Sequence, residues 1–359
     1  MNNVSIIGKG LVTPLGNTPQ AVFEAVRDGR SALALHPGFP EPYFASLLDR
    51  SGFSGSSFLE AVALEASQRA VADAGIDPSA PDTAFLLSTI KGDVEYIGSR
   101  DVSLAVSAAN IALDLGVKTT PLVVSNACIS GLAALVQGMR MIRAGVCRTA
   151  IVTGVELQSR FIVTGFQSLK ALSPQQCRPF DARREGLNLG EAAASIVLQA
   201  GGEGVWELVQ GAIRNDANHI SGPSRTGEGS YQALQQVLPH VRKEELAFVN
   251  VHGTATLYND EMEAIALKRA GLLDIPINSM KGVFGHTMGA AGVLESIVSM
   301  QALEAGVVLP TRGFEQLGVS AQVRVSSREL PARGQSFIKL LSGFGGVNGA
   351  LLFRKGGAR

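Results

Sequence analysis

The amino-acid sequence predicts an α/β fold, because short apolar runs alternate with longer amphipathic segments along most of the chain. The 359 residues are 46% hydrophobic and 17% charged, so the chain can bury a large core. Two stretches share one layout: a short strand, a turn with reactive side chains, and a long helix rich in small residues. This repetition suggests an internal duplication into residues 1–202 and 203–359, with the glycine-rich run 201–204 as the junction.

The strand predictions rest on short apolar runs that turn-forming residues bound. In the first half these runs are Val4–Ile7, Ala84–Leu87, Leu122–Val124, Thr149–Thr153 and Ala194–Leu198. In the second half they are Trp206–Ala212, Ala247–Val251, Ile275–Asn278, Phe337–Leu341 and Ala350–Phe353. Helical spacing of apolar residues falls between the strands, for example at Phe58–Ala74, Tyr231–Leu238 and Asp260–Ala270.

Cys128 lies at a predicted strand-to-helix turn. It follows the apolar run Leu122–Val124 and the polar pair Ser125 and Asn126, and it precedes a helical pattern that ends at Gly145. Backbone N–H groups at a helix N-terminus favour the thiolate, which is the nucleophilic form of cysteine. From this segment alone, a buried cysteine that acts as a small apolar residue is an equally good interpretation.

Two histidines and a lysine occupy comparable turns in the second half. Lys281 and His286 lie in a glycine-rich turn between a short predicted strand and a helix that ends near Gly306. His252 directly follows the predicted strand Ala247–Val251, where α/β folds concentrate their catalytic groups. A lone histidine is more often a satisfied core residue, but a glycine-rich turn after a strand favours a functional role for both.

Six segments resemble, in the same order, the motifs of elongating, decarboxylating β-ketoacyl-[acyl-carrier-protein] synthases. They span nearly the whole chain and read VSIIGKGLVTPLGNT, SNACISG, CRPFDARREGLNLGEAAASIVL, VHGTATLYNDEMEAIAL, MKGVFGHTMGAAGVLE and LSGFGGVNGALLF. Thiolases pair the nucleophile with a histidine and a second cysteine, and initiating synthases have asparagine where this chain has His286. The resemblance implies a thiolase-like fold, in which two similar βαβαβαββ halves form a five-layered α-β-α-β-α body around the active site.

The resemblance also implies roles for individual residues. Cys128 would receive an acyl chain, with its own backbone N–H and that of Phe344 as the oxyanion hole. The Phe344 ring would gate the acyl pocket, although an ordinary core aromatic is the alternative. His252 and His286 would donate Nε2–H hydrogen bonds to the malonyl thioester oxygen as CO2 leaves. If the helix N-terminus activates Cys128, neither histidine is needed as its base.

Three carboxylates and two threonines complete the expected site. Lys281 would pair with Glu295 and tune the site electrostatically. Asp260 and Glu263 match a supporting shell around the histidines, although their spacing fits a solvated helix start equally well. Thr254 and Thr256 alternate in GTAT, so both hydroxyls can face one side of an extended segment, and they match family positions that bind the phosphopantetheine arm. His219 resembles a residue of a loop that shapes the site entrance.

The same resemblance predicts the partners. Acyl carrier protein would deliver both substrates, and its phosphopantetheine arm makes a separate cofactor unnecessary. The run SRFIVTGFQSLKALS, with the segment before Cys128, resembles the family's dimer interface, so a homodimer or a heterodimer with a related subunit is expected. No histidine, cysteine and carboxylate spacing indicates a metal site.

Composition argues against several other classes of function. The formal net charge is zero, which gives no general attraction to nucleic acid. The first residues lack the layout of a signal peptide, and no apolar run approaches the roughly 18 residues that cross a bilayer. Three cysteines are few and odd in number, so a reducing cytoplasm is expected.

The chain also departs from the family pattern. It is shorter between Gly29 and Phe58 and around Lys91–Lys118, and four motif positions carry unusual residues: Asn126, Ala255, Asn259 and Gly313. TIKGDVE and SNACISG resemble the synthases of aryl-polyene and flexirubin-type pathways. Two other classes stay open, a non-elongating acyltransferase on the same fold and a non-catalytic partner subunit that resembles a chain-length factor. The two retained histidines argue against the first, and the retained cysteine argues against the second.

Overall fold

The computed structural model describes residues 3–37, 41–55, 57–201 and 204–356, and it confirms the α/β prediction. The helices are α1 (Pro19–Arg27), α2 (Phe58–Ala74), α3 (Leu104–Leu115), α4 (Ser130–Arg143), α5 (Arg160–Ser168), α6 (Glu228–Val237), α7 (Leu257–Arg269), α8 (Lys281–Phe284) and α9 (Ala291–Glu304). The strands are β1 (Val4–Val12), β2 (Ala34–His36), β3 (Tyr43–Ser46), β4 (Thr83–Ser88), β5 (Leu122–Val124), β6 (Thr149–Glu156), β7 (Leu189–Gly190), β8 (Ala192–Ala200), β9 (Trp206–Asn215), β10 (Leu246–Asn250), β11 (Pro276–Asn278), β12 (Val307–Val308), β13 (Arg324–Val325), β14 (Leu330–Pro331), β15 (Ser336–Gly343) and β16 (Val347–Lys355).

The central sheet contains the same strand arrangement twice. Its order is β13-β11-β10-β15-β16-β9-β1-β8-β6-β4-β5 within the described residues. The five main strands are β1, β4, β5, β6 and β8 in the first half, and β9, β10, β11, β15 and β16 in the second. When they are numbered 1 to 5 along the chain and read from the outer end of the sheet toward the junction, both halves have the order 3-2-4-5-1. In both halves, strand 5 is antiparallel to its neighbours. The halves join where β1 pairs with β9. This repeat has the βαβαβαββ layout that the resemblance implies.

Helices α4 and α9 form the middle of five layers. They pack against each other and contact strands of both halves, whereas α2 and α3 cover the outer face of one half and α6 and α7 that of the other. Residues Ala291–Leu303 of α9 are all buried, as expected for a helix without a polar face. A Cβ atom at Gly292 would lie 2.2 Å from the Leu132 nitrogen, so glycine permits this close packing. The five-layered prediction is confirmed.

All ten predicted strands are present, and most of them extend beyond the predicted ends. Helix α2 has the predicted bounds, whereas α6 and α7 each begin three residues earlier than predicted. The predicted boundary between residues 202 and 203 lies outside the described residues. Along the described part of the chain, no helix combines the length and apolar character that a membrane crossing requires.

Candidate active site

Cys128 lies between β5 and α4, as the sequence predicts. The turn is tight, because Ala127 adopts a φ of 46° and the Asn126 N–H donates to the Ser130 Oγ at 2.7 Å. Ser130 is the first residue of α4, two positions after the cysteine. The Cys128 side chain is buried, yet it lines a cavity of about 430 Å³ that leads to the surface.

The acidity of Cys128 differs from the expectation. Burial raises the pKa of the Cys128 thiol to about 11. The positive charge of Lys281 and the backbone N–H groups of Phe344 and Cys128 lower this pKa, but they do not offset the lost hydration, and the charge of Glu156 opposes them. Burial therefore opposes the thiolate that the helix N-terminus is expected to favour, and activation of Cys128 by the helix N-terminus stays a prediction.

The loop after β15 closes over the cysteine. A Cβ atom at Gly343 would lie 3.0 Å from the Cys128 nitrogen, so glycine lets the two backbones approach. The N–H groups of Phe344 and Cys128 both face the sulphur, where the resemblance places the oxyanion donors. The Phe344 ring is 39% exposed and stacks on Phe166 with centroids 5.9 Å apart. Its interpretation as an ordinary core aromatic is wrong.

His252 and His286 converge on Cys128 from the other half of the fold. The cysteine sulphur and one nitrogen of each imidazole all lie within 4.8 Å of one another. The two rings are nearly perpendicular, with centroids 5.0 Å apart. The structure therefore brings together the three residues that the sequence places in separate turns.

Hydrogen bonding distinguishes the two histidines. The Met288 backbone N–H donates to the His286 Nδ1 at 3.3 Å, so the proton of the neutral ring lies on Nε2, which is buried and has no partner in the described structure. The His252 Nδ1 is also buried without a partner there, so no such bond selects its tautomer. Burial and the charge of Lys281 hold the pKa of both histidines well below the usual value, and both rings are neutral at pH 7.

Lys281 belongs to a buried cluster of three charges. Its ammonium pairs with Glu295, as predicted, and the ammonium of Lys339 pairs with the other Glu295 oxygen at 2.6 Å. All three side chains are buried. Burial lowers the pKa of Lys339 to about 8, and the two lysines lower the pKa of Glu295 despite its burial.

Asp260 and Glu263 support the loop that carries His252. The Glu263 carboxylate accepts the backbone N–H groups of His252 at 2.7 Å and Gly253 at 2.6 Å. The Asp260 carboxylate accepts the backbone N–H groups of Thr254 at 3.0 Å and of Ala255 at 3.2 Å. Both carboxyls are fully buried, and burial raises the pKa of Asp260 to about 6 and that of Glu263 to about 7. A solvated helix start is therefore the wrong interpretation.

Thr254 and Thr256 line the cavity that leads to the cysteine. Their hydroxyls are 2.9 Å apart and face the same side, as the alternation in GTAT predicts. His219 also lines this cavity, where its Nδ1 accepts two backbone N–H groups of its own loop. His36 and His240 lie elsewhere and bond to Ala45 and Gln210.

The same cluster could ligate a metal ion. Cys128, His252 and His286 offer one sulphur and two imidazole nitrogens, which are donors that zinc accepts. Their polar character equally suits an acyl-transfer site. The expectation of no metal, which rests on sequence spacing, stays a prediction.

Sequence analysis misses two buried charged residues of this site. Lys339 interrupts the apolar run Phe337–Leu341, and a charge inside a predicted core strand is the signal that would have found it. Glu156 ends the apolar strand β6 and accepts the backbone N–H groups of Ile90 at 2.9 Å and Gly289 at 3.0 Å. Burial raises the pKa of Glu156 to about 7.

The fold and site together define a thiolase-like condensing enzyme. One half of the duplicated α/β body supplies a cysteine at a strand-to-helix turn, and the other supplies two neutral histidines. The chain belongs to the β-ketoacyl synthase family: the family's N-terminal domain matches residues 56–203 and its C-terminal domain matches residues 206–315. The family and acyltransferase predictions are confirmed.

Similar proteins agree with this assignment over almost the whole length. The 3-oxoacyl-[acyl-carrier-protein] synthase 2 of Vibrio cholerae is 28% identical over 98% of this chain and 99% of its own. A β-ketoacyl synthase structure from Burkholderia phymatum STM815 matches with a TM-score of 0.89, 27% identity and coverage of 99% and 100%. A ketosynthase in complex with its chain length factor, from Xenorhabdus doucetiae, has the same fold, with a TM-score of 0.87, 22% identity and coverage of 99% and 98%.

Proposed function

We propose that this protein elongates acyl chains by condensing an acyl group on Cys128 with a malonyl group carried by acyl carrier protein. The observation that carries the proposal is the convergence of the Cys128 sulphur and the two imidazoles within 4.8 Å. A non-catalytic partner would not need the cysteine, and an acyltransferase that does not decarboxylate would not need two histidine donors.

In the first half-reaction, the Cys128 sulphur attacks the carbonyl carbon of the incoming thioester. Because the resting group is a thiol, its proton must leave, and His252 is the neutral imidazole whose tautomer no hydrogen bond fixes. His252 takes this proton and passes it to the departing pantetheine sulphur. The N–H groups of Cys128 and Phe344 stabilise the oxyanion. This assigns His252 a role as base that the sequence does not predict.

In the second half-reaction, the bond between the malonyl carboxylate and its methylene carbon breaks, and CO2 leaves. The electron pair moves onto the thioester oxygen as an enolate, which accepts the His286 Nε2–H and a second hydrogen bond from His252. Each neutral imidazole donates through the ring nitrogen that carries its hydrogen, and it keeps this hydrogen while the enolate forms. The enolate carbon then attacks the acyl-Cys128 carbonyl, the carbon–sulphur bond to Cys128 breaks, and the released thiolate takes a proton from solvent to restore the thiol.

The carrier arm enters through the cavity of about 430 Å³. Thr254 and Thr256 offer hydroxyls to the amides of the phosphopantetheine, and the exposed side chains of Leu257 and Tyr258 line the cavity mouth. Phe344 separates this entrance from the acyl side. The arm belongs to the carrier protein, so we propose no separate cofactor.

A related subunit pairs with the β5 edge of the sheet. Strand β5 is the last strand at that edge, and Leu122 on β5 exposes a large apolar side chain there. Phe161 on α5, within the run that resembles the family's dimer interface, is exposed as well. An exposed apolar edge strand is a template for pairing with another chain. The partner is a second copy of this chain or a relative that resembles a chain length factor, as in the Xenorhabdus doucetiae complex. A cytoplasmic location, the choice between a fatty-acid and a polyketide pathway, and the pigment-type subgroup stay predictions.

The test follows both half-reactions with a panel of acyl-carrier thioesters and with carboxyl-labelled malonyl-carrier. Intact mass should show one acyl group per chain, and label should leave as CO2 once the acyl-enzyme has formed. Acylation without CO2 release would indicate a non-elongating acyltransferase. Neither acylation nor CO2 release would indicate a non-catalytic subunit.

A further inference from the structure

Lys339 is a fully buried lysine on β15, inside the otherwise apolar run Phe337–Leu341. Its ammonium donates to the Glu295 carboxylate at 2.6 Å and to the Val251 carbonyl oxygen at 3.3 Å. Burial lowers its pKa to about 8, because hydration favours the charged form more than the interior does. Such a residue is costly to the fold.

The ion-paired cluster around Lys339 carries excess positive charge, which Glu263 offsets only in part near pH 7, because burial raises the pKa of that carboxyl to about 7. Glu295 already has an ion-pair partner in Lys281, so Lys339 makes the sum of the three charges +1. Within the described residues, Glu295 is the carboxylate that lies within ion-pair distance of these two lysines. One lysine would neutralise Glu295, and an apolar residue at position 339 would often be neutral or stabilising. Stability alone therefore does not explain the second lysine.

The excess charge faces the reacting groups. The positive charge of Lys339 contributes to the low pKa of both His252 and His286. Its hydrogen bonds reach Val251, which directly precedes His252, and Glu295, which holds Lys281. One ammonium group thus contacts the strand end that carries the first histidine and the ion pair beside the second.

We propose that Lys339 is a positioning residue of the condensing site, which anchors the His252 strand end and supplies the unbalanced positive charge that stabilises the enolate and keeps both histidines neutral. This inference rests on the proposed function, because the enolate forms only if malonyl-carrier is decarboxylated. It adds a second lysine to the one that the sequence identifies.

The test compares Lys339→Met with the control Lys355→Met, on the outer end of β16. Methionine keeps the length of the side chain and leaves the Lys281–Glu295 pair balanced, so the variant should fold. Decarboxylation should slow by roughly tenfold to a hundredfold, less than for a donor in direct contact with the enolate. Acylation of Cys128 should change by less than about threefold, and the control should match the unchanged protein in both.

The second readout is the titration of the histidines by NMR, which does not depend on activity. The chain has five histidines, so ring-labelled protein gives few signals. Loss of the Lys339 charge should raise the pKa of His252 and His286, the two rings on which that charge acts. A role in packing alone would not produce this selective rise.

The third readout is the pH dependence of CO2 release in the unchanged protein. Lys339 loses its charge as pH rises through about 8, so the rate should fall there. Glu295, Lys281 and Glu263 face Lys339, as do the two histidines, which are neutral throughout this range. If the rate of CO2 release no longer falls above pH 8 in Lys339→Met, the fall in the unchanged protein is due to the loss of the Lys339 charge.

A folded Lys339→Met protein that releases CO2 within twofold of the control, with unchanged histidine titrations, would overturn the proposal. If that variant does not fold, the unchanged protein decides: a rate that is flat to pH 9.5 overturns the proposal, and a fall near pH 8 supports it. If the unchanged protein releases no CO2 at all, the proposed function fails, while the histidine titrations still test the charge of Lys339.

Discussion

Glu263 accepts a hydrogen bond from the backbone N–H of His252 at 2.7 Å, and through this bond a buried carboxylate on α7 sets the position of the first histidine. Its second oxygen accepts the N–H of Gly253 and the side-chain amide of Asn259. Asn259, where the family usually has glycine, thus joins the same network. The loop and the helix that follows it act as one support for the site.

Glu263→Gln should slow decarboxylation by about tenfold. The amide has one acceptor oxygen and one NH2 group, so at least one backbone N–H of the His252 loop loses its acceptor and the ring shifts. Single-turnover CO2 release measures the effect. The control is Glu244→Gln, which should leave the rate of CO2 release unchanged because Glu244 is exposed. An unchanged rate in the Glu263 variant would show that this bond does not position His252.

Glu263 should also give a pH-dependent stability. Burial raises its pKa from 4.5 to about 7, so its contribution is fully present below pH 4.5 and is lost as pH rises through about 7. Between pH 5 and 8, the free energy of unfolding of the unchanged protein should therefore fall relative to that of Glu263→Gln. Denaturant unfolding of both proteins at each pH measures this free energy. If it changes equally with pH in the two proteins, the Glu263 carboxyl is already ionised at pH 5.

Cys128 should react slowly with iodoacetamide at neutral pH. A thiol with a pKa of about 11 is ionised to roughly one part in 10,000 at pH 7, so the rate should rise about tenfold per pH unit up to pH 10. Intact mass follows the reaction, and Cys128→Ala identifies the labelled position. A rate that is constant between pH 7 and 9 would indicate a preformed thiolate.

Leu122→Arg should weaken dimerisation. The substitution places a charge on the exposed β5 edge, where pairing with a partner would bury it. The mass measured by light scattering should fall from twice the chain mass of 37.5 kDa toward that of a single chain. Val146→Arg is the control, because Val146 is apolar and exposed in the turn after α4. An equal fraction of dimer in both variants would show that β5 is not part of the dimer interface.

Much of the fold and site could be predicted from sequence, because the determining patterns are local. An apolar run before Cys128 and helical spacing after it locate the turn, and the same layout locates His286. The acidity of Cys128 could not be predicted in this way, since it depends on burial by residues distant in sequence. Lys339 does carry a local signal, a charge inside an apolar run, but its pairing with Glu295, 44 positions away, has no such signal. The tautomer of His286 depends on the backbone path at Met288, which no residue pattern specifies.

The central claim is that His252 serves both half-reactions whereas His286 serves decarboxylation alone. The most direct test measures acylation of Cys128 and CO2 release separately in His252→Ala and His286→Ala. Loss of one oxyanion donor should slow CO2 release by about a hundredfold to a thousandfold in both variants. Acylation should fall by at least about tenfold in His252→Ala and stay within about threefold in His286→Ala. Equal losses of acylation in the two variants, or none in either, would contradict the account.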